Sequence, residues 1–286
     1  MDAKLQRRVQ RYGWDLATAD YEPLWQSQLA PAQASLMACA ALAPGERVLD
    51  VACGTGLVSF AAARNVGPAG SVVGVDLSGQ MVEAAALRAH EGGVTNARFA
   101  RMDAESLALP EAGFDVVLCA LGLMYLPDPE QALREMRRVL RPGGRLVLAV
   151  WGERKRCGWS AVFEIVDAEV SSDVCPLFFR LGQPDALARA CADAGFVAIE
   201  QHRFATTLHY ASGDEACRAA FVGGPVALAW SRFDEATRAR VCGRYLEAID
   251  GWRDDGADGN GYSVPGQFVV ISAIASTDLS LDPDSG

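Results

Sequence analysis

The chain has 286 residues, half of them apolar, which suffices for one α/β domain with material left for a cap. Its 26 basic and 36 acidic residues give a formal net charge of -10. This charge repels polyanions, so we expect no nucleic-acid partner.

The first 43 residues are interpreted as a helical lid. They contain an aromatic-bearing stretch at 12–25, followed by an alanine-rich helical pattern at about 31–42 that Pro44 ends. The N-terminus is charged, and no apolar run is long enough to cross a bilayer. We therefore expect neither a signal peptide nor a membrane span.

From residue 44 onward, short β-branched runs alternate with longer helical patterns, which is typical of parallel strands joined by helical crossovers. The sheet must then be covered on both faces. The predicted strands are Arg47–Val51, Ser71–Asp76, Ala97–Arg101, Phe114–Ala120 and Arg145–Val150, and the helices between them are 56–64, 78–89 and 129–140.

The second half of the chain interrupts this alternation. A helix at about 183–194 and two β-rich stretches, 196–210 and 267–275, continue the domain. The segments 152–182 and 211–265 are interpreted as insertions that form a lid or a substrate pocket. The domain thus spans 44–276, and the Asp-, Ser- and Pro-rich tail 277–286 is predicted to be flexible.

The cysteines indicate a reducing compartment. All eight are scattered without a CxxC pair, and no His, Asp or Glu cluster has the spacing of metal ligands. We expect reduced thiols, a cytoplasmic location and no metal site.

A glycine-rich turn follows the first predicted strand. Residues 48–51 run into the turn 52–56 and then into a helix, an arrangement that presents backbone N–H groups to a ligand. Asp76 follows Gly56 by twenty residues, at the end of the next strand. That spacing suits a carboxylate that accepts hydrogen bonds from both ribose hydroxyls.

Two details of the turn distinguish between cofactors. A dinucleotide site favours a third glycine, but Ser59 stands at that position. Asp50, at the end of the first strand, would repel a pyrophosphate but could pair with a cationic amino group, directly or through water. The alternative roles are a helix cap or strand-end acceptor for Asp50 and a helix N-cap for Asp76.

On these motifs the chain resembles the class I S-adenosylmethionine (SAM)-dependent methyltransferases. Within that class it resembles the branch of ubiquinone and menaquinone C-methyltransferases and related small-molecule enzymes. The resemblance covers about 44–151, with Ala52 at a position where many members have glycine. It implies a Rossmann-like, mostly parallel seven-stranded sheet with helices on both faces and an antiparallel last strand. It also implies SAM as cofactor and S-adenosylhomocysteine as product.

The resemblance assigns further residues to the cofactor. Asp103 would accept from the adenine amino group, the backbone N–H of Ala104 would meet the ring, and Met81 would pack on it. The backbone carbonyl near Ala120 would hold the methionine ammonium. The predicted cofactor-binding residues are Asp50, Ala52, Cys53, Gly54, Gly56, Asp76, Leu77, Met81, Asp103, Ala104, Ala120 and Trp25.

No side chain is identified as the catalytic base, because methyl transfer needs a positioned nucleophile first. The candidates are His202, His209 and Tyr21. The two histidines lie seven residues apart on one predicted strand and so point to opposite faces, one of which could approach the pocket.

Aromatic residues point to an apolar or aromatic substrate. Tyr21, Trp25, Tyr125 and Trp151 lie at the lid or at carboxyl ends of strands, where open α/β sheets bind ligands, although core packing explains them equally well. The aromatic residues of both insertions favour a hydrophobic small molecule, lid packing or a homodimer contact. They are Phe163, Phe178, Phe179, Phe221, Trp230 and Phe233.

The predicted function is therefore transfer of a methyl group from SAM to an O, N or C atom of a small metabolite, mainly by proximity and orientation. Two alternatives remain open. One is a catalytically inactive SAM-binding scaffold protein, and the other is an NAD(P)-dependent oxidoreductase.

Overall fold

The computed structural model describes residues 3–170, 175, 177–254 and 260–277. In these residues the strands are Arg47–Val51 (β1), Ser71–Asp76 (β2), Ala97–Arg101 (β3), Phe114–Ala120 (β4), Leu140–Trp151 (β5), Phe196–Tyr210 (β6) and Tyr262–Ala275 (β7). The helices are Ala3–Ala40 (α1), Leu57–Val66 (α2), Gly79–Glu91 (α3), Pro129–Val139 (α4), Ala161–Val170 (α5), Ala186–Asp193 (α6), Gly213–Phe221 (α7), Ala227–Arg232 (α8) and Glu235–Ile249 (α9).

The strands form one seven-stranded sheet of order β3-β2-β1-β4-β5-β7-β6. β1 pairs in parallel with both β2 and β4, whereas β7 runs antiparallel to β5 and β6. This topology confirms the predicted Rossmann-like sheet with an antiparallel last strand. The tail predicted for 277–286 lies outside the described residues after 277, as do 171–174, 176 and 255–259 of the two insertions.

The centre of the sheet is buried on both faces. Along β1, β4 and the second half of β5 most side chains are buried, including consecutive residues that point to opposite faces. Each fully buried Val or Leu contributes about 1.5–3 kcal/mol relative to an exposed one. Burial on both faces explains why these strands read as continuous apolar runs in the sequence.

Helix α1 departs from the prediction. The helical pattern was expected from about residue 31, but one continuous helix runs from Ala3 to Ala40 and includes Pro23 and Pro31. Each proline removes a backbone hydrogen bond, which normally interrupts a helix. The buried residues of α1 nevertheless follow the helical period along its length, mostly at intervals of three, four or seven residues. Packing over the rest of the domain therefore keeps the helix continuous.

Two strands are longer than predicted. β5 begins at Leu140 rather than Arg145, because Leu140 pairs with Phe114 before a register shift. β7 begins at Tyr262 rather than Gln267, because it follows β6 to the pair Tyr210–Tyr262. Apolar patterning marks only the buried part of such strands, whereas backbone pairing extends beyond it. None of the described helices is both long enough and apolar enough to span a membrane.

Gly74 in β2 provides a test of the packing beneath the turn. A Cβ at this position would lie 2.6 Å from the Phe99 ring and 3.0 Å from Cys53 Sγ. We expect Gly74→Ala to lower the free energy of unfolding by about 1–3 kcal/mol through overpacking. Urea denaturation measures the change.

Gly243 in α9 is the matched control, since a Cβ there meets nothing within 4 Å. Gly243→Ala should raise stability by about 0.5–1 kcal/mol through helix propensity. Equal stability of Gly74→Ala and the unmodified protein would contradict the packing described for β2.

Candidate functional site

The candidate site that brings the predicted cofactor residues together is a cavity at the carboxyl ends of β1, β2, β3 and β4. This edge includes the point where the chain order of the parallel strands reverses, the usual ligand position in open α/β sheets. The empty space, counted together with the open solvent at its mouth, measures about 810 Å³. Its lining includes Arg7, Gln10, Trp14, Tyr21, Ala52, Gly54, Asp76, Leu77, Met81, Asp103, Ala104, Glu105, Ala120, Leu121, Gly122 and Tyr125.

Asp76 connects the turn after β1 to the end of β2. Its Oδ2 accepts a hydrogen bond from the Gly54 N–H at 2.9 Å, and its Oδ1 accepts one from the Ser78 N–H at 2.9 Å. Burial raises the pKa of Asp76, and these two backbone donors oppose the rise. Each carboxylate oxygen retains acceptor capacity beyond its backbone bond, as the predicted ribose contact requires.

The turn itself depends on left-handed backbone. Ala52, Gly54 and Gly56 have φ of 55°, 54° and 88°. The alanine conformation is strained, by about 1–2 kcal/mol, at the position where glycine is common in the family that the sequence resembles. Gly56 does not line the cavity: a Cβ there would lie 2.8 Å from the Phe60 ring, so its predicted role is limited to shaping the turn.

Asp50 lies beneath the turn and is only 1% exposed. Its Oδ2 accepts the Ser59 hydroxyl at 2.5 Å, while its Oδ1 has no hydrogen-bond partner among the described residues. The carboxyl borders a narrow side cavity that shares Tyr21, Ala52 and Ala120 with the main cavity. Burial raises the pKa of Asp50 to about 7, and the Ser59 hydrogen bond opposes that rise. A cation in the side cavity would satisfy both the charge and the free oxygen.

The predicted adenine end carries an ion-pair cluster that the sequence did not reveal. Asp103 Oδ2 lies 3.2 Å from Arg7 Nε, and Asp103 Oδ1 accepts the Glu105 N–H at 3.0 Å. Arg7 also pairs with the buried carboxylate of Glu105. Burial raises the pKa of Asp103, and Arg7 opposes the rise. Helix α1 therefore contacts the carboxylate predicted to read the adenine amino group.

The remaining predicted cofactor residues line the two cavities near the carboxyl ends of the strands. Leu77, Met81, Ala104 and Ala120 line the main cavity, and Cys53 lines the side cavity. The N-terminus of α3 is fixed beside them, because the Ser78 hydroxyl accepts the Met81 N–H at 3.1 Å.

One face of α1 covers the cavity. Arg7, Gln10, Trp14 and Tyr21 follow a spacing of three, four and seven residues and all line it. Only Tyr21 was predicted. Extending the helical period from the predicted helix back through Pro23 would have placed Arg7, Gln10 and Trp14 on the same face as Tyr21. Burial raises the pKa of Tyr21 above its usual range, so its phenol stays protonated and suits a hydrogen-bond donor rather than a base.

Trp25 is a correction to the predicted cofactor contacts. It lies about 6 Å beyond Tyr21 along α1 and is buried in the core. Its Nε1 donates to the Ala219 carbonyl at 3.1 Å, and its ring packs against Trp151 and Trp159. Trp151 is likewise a core residue, whereas Tyr21 and Tyr125 line the cavity.

The two candidate histidines do not reach the cavity either. His202 and His209 are exposed on β6, the edge strand farthest from the turn-bearing strands. The backbone of His209 pairs with Gln28, and its Nδ1 lies 3.1 Å from Ser263 Oγ. Their predicted approach to the pocket is therefore wrong, because β5 and β7 separate β6 from β4.

Most of the aromatic residues of the insertions serve packing. Phe163, Phe178 and Phe221 are buried, and Phe178 lies against Tyr125 with ring centroids 5.2 Å apart. Phe221 stacks on Trp230 at 5.2 Å. Of the interpretations left open for these residues, lid packing accounts for these two contacts.

Comparison with known proteins agrees with this geometry. Residues 48–144 match the family described as a methyltransferase domain. A ubiquinone/menaquinone biosynthesis C-methyltransferase of Ectopseudomonas mendocina is 46% identical over 106 residues, which are 37% of this chain and 41% of that protein. The chain thus covers less than half of this relative's length.

Solved structures share the whole fold at lower identity. Phosphoethanolamine N-methyltransferase 2 of Haemonchus contortus is 18% identical, with a TM-score of 0.59 over 92% of this chain and 57% of that chain. A cyclase is 24% identical, with a TM-score of 0.57 over 89% of this chain and 83% of that chain. Several activities therefore occur on this fold.

The raised pKa of Asp50 predicts a specific pH dependence of stability. Because the folded-state pKa is about 7 and the ordinary value is near 4, the folded state holds the proton more tightly. Its contribution to stability is complete below about pH 4 and is lost as the pH rises through 7. The Asn side chain of Asp50→Asn cannot ionise. As the pH rises from about 4 through 7, the free energy of unfolding of this variant should therefore rise relative to that of the unmodified protein, by at most about 4 kcal/mol.

Asp115→Asn is the control of opposite sign. Hydrogen bonds and charge from Arg47 and Arg141 hold the pKa of Asp115 below its usual range, despite opposing burial. This stabilisation is present at neutral pH and lost in acid, so the variant should be weakest relative to the unmodified protein at neutral pH. Urea denaturation from about pH 3 to about pH 8 tests both, because this range extends about one unit below the ordinary Asp pKa and one unit above the raised pKa of Asp50. Parallel profiles for Asp50→Asn and the unmodified protein would contradict the assignment.

Proposed function

Residues 48–144 form a class I SAM-dependent methyltransferase domain, and from this premise we propose that the whole chain transfers a methyl group from SAM to an O, N or C atom of a small metabolite. The acceptor is proposed to have an apolar or aromatic body. The observation that carries the proposal is the buried carboxyl of Asp50, which has an unpaired oxygen and belongs to a residue that lines the side cavity.

The residues of the cavity fit the parts of SAM. Asp50 and the backbone carbonyl of Ala120 would hold the methionine ammonium, and Asp76 would hold the ribose hydroxyls. Asp103 and Ala104 would meet the adenine. When bound, SAM supplies an electrophilic methyl group on a sulfonium. These assignments are supported by the placement of all five residues around two cavities that share a wall.

The same turn argues against a dinucleotide. Ser59, at the position of the missing third glycine, is completely buried and donates its hydroxyl to Asp50. A pyrophosphate on this turn would bring negative charge to a carboxyl that already has an unsatisfied oxygen. This disfavours the NAD(P)-dependent oxidoreductase.

Orientation and exclusion of water are the contributions we assign to the protein. Trp14, Tyr21 and Tyr125 surround the cavity from α1 and from the segment after β4, and they shield the reacting groups from solvent. Among the described residues that line the cavity there is no histidine, and the Glu105 carboxylate is paired with Arg7. We therefore assign no general base to this chain.

An apolar or aromatic acceptor is supported by the character of this wall. Trp14 contacts Tyr21 and Tyr125 edge-on, with ring centroids 5.8 and 5.2 Å apart. Aromatic edges and faces pack well on planar rings. A catalytically inactive scaffold would share the same cavity, so transfer itself must be measured.

Methyl transfer from labelled SAM into a metabolite extract tests the proposal. We expect incorporation with the unmodified chain and its loss in Asp76→Ala. By calorimetry the same variant should bind S-adenosylhomocysteine about 1–3 kcal/mol more weakly, because charge-assisted hydrogen bonds are lost.

Glu91→Ala, which removes an exposed acid at the end of α3, should leave both readings unchanged. Binding of the cofactor without any transfer would favour the scaffold. Tight binding of NAD without binding of either sulfur cofactor would overturn the proposal.

A further inference from the structure

Gln10 is a buried polar residue in the wall of the cavity. It is only 4% exposed, and its Nε2 donates to Cys175 Sγ at 3.2 Å. Its Oε1 has no hydrogen-bond partner among the described residues. A buried amide oxygen left without a donor costs about 1–3 kcal/mol. Such a group in a ligand cavity calls for a ligand that supplies the donor.

The surroundings of Gln10 are aromatic and uncharged on one side. Trp14, one turn further along α1, meets Tyr125 edge-on at 5.2 Å, and Tyr125 packs against Phe178. Arg7, one turn in the other direction, is already paired with Asp103 and Glu105. The arrangement suits a planar ring that carries a neutral hydrogen-bond donor.

The position of Gln10 in the chain separates it from the cofactor contacts. The residues proposed to hold the cofactor by hydrogen bonds, Asp50, Asp76, Asp103, Ala104 and Ala120, all lie within 48–144, the domain shared with other methyltransferases. Gln10 and Cys175 lie outside it, on α1 and in the segment after β5. Since family members share the cofactor and differ in the acceptor, contacts outside the shared domain are the place for acceptor recognition.

We propose that Gln10 determines acceptor specificity: its Oε1 accepts a hydrogen bond from a hydroxyl or amino group on an aromatic acceptor that packs against Trp14 and Tyr125. This inference rests on the proposed function. It narrows the acceptor from any apolar metabolite to a phenol or an aromatic amine, and it assigns the selection to α1.

Two probes of equal size test the inference on protein saturated with S-adenosylhomocysteine. Naphthol carries the donor, and methylnaphthalene with the same substitution pattern lacks it. Calorimetry should show about tenfold tighter binding of naphthol, as expected for one neutral hydrogen bond to an otherwise unpaired group. Gln10→Leu should abolish the preference while leaving the affinity for S-adenosylhomocysteine unchanged.

Two variants control for folding and for position. Gln10→Glu retains an acceptor oxygen and should keep the preference for naphthol. Gln26→Leu changes an exposed glutamine of the same helix and should also keep it.

The outcomes separate the inference from the function beneath it. If the unmodified protein does not bind S-adenosylhomocysteine, the proposed function itself is contradicted. Two results would overturn the role of Gln10 alone, provided that cofactor binding is normal. One is that the unmodified protein does not bind naphthol, and the other is that Gln10→Leu prefers naphthol over methylnaphthalene as strongly as the unmodified protein does. Weaker cofactor binding in Gln10→Leu would overturn it too, by assigning the residue to the adenine.

Discussion

The site is organised around a carboxyl group that the fold buries without fully satisfying. Asp50 is the penultimate residue of β1, and the Ser59 hydroxyl donates to only one of its oxygens. The turn above it is held by the hydrogen bond from Gly54 to Asp76, which connects β1 to β2 at the edge where the cavity opens. A cationic group would complete this arrangement and an anionic one would conflict with it, so we propose that the turn selects the cofactor by charge as well as by shape.

Helix α1 divides the cavity into two functional parts. Arg7 reaches the carboxylates at the predicted adenine end, and Tyr21 lies over the turn. Gln10 and Trp14, between them, contact Cys175 and Tyr125. In the proposed function, the shared domain supplies the cofactor contacts, while α1 and the segment after β5 supply the surface against which we place the acceptor. This division allows one cofactor site to serve different acceptors.

The sheet and the turn were predictable because their signals are local. Buried parallel strands are continuous apolar runs, and the order of strand, turn and Asp76 depends only on spacing. The full length of helix α1 was not predictable from the sequence, because Pro23 and Pro31 interrupt the local pattern and only packing shows that the helix continues. For the same reason Trp25 was placed in the site and Trp14 was not. Both lie on one helix, and only its path over the sheet determines which ring meets the cavity.

The central claim is that Asp50 binds the cofactor's ammonium as a carboxylate. The direct measurement is the number of protons released when S-adenosylhomocysteine binds at about pH 6, obtained by calorimetry in buffers of different ionisation enthalpy. Because the pKa of Asp50 is about 7 in the free protein, pairing with the ammonium should release close to one proton. Asp50→Asn should release about one proton fewer than the unmodified protein. Equal proton release by the unmodified protein and Asp50→Asn would contradict the account.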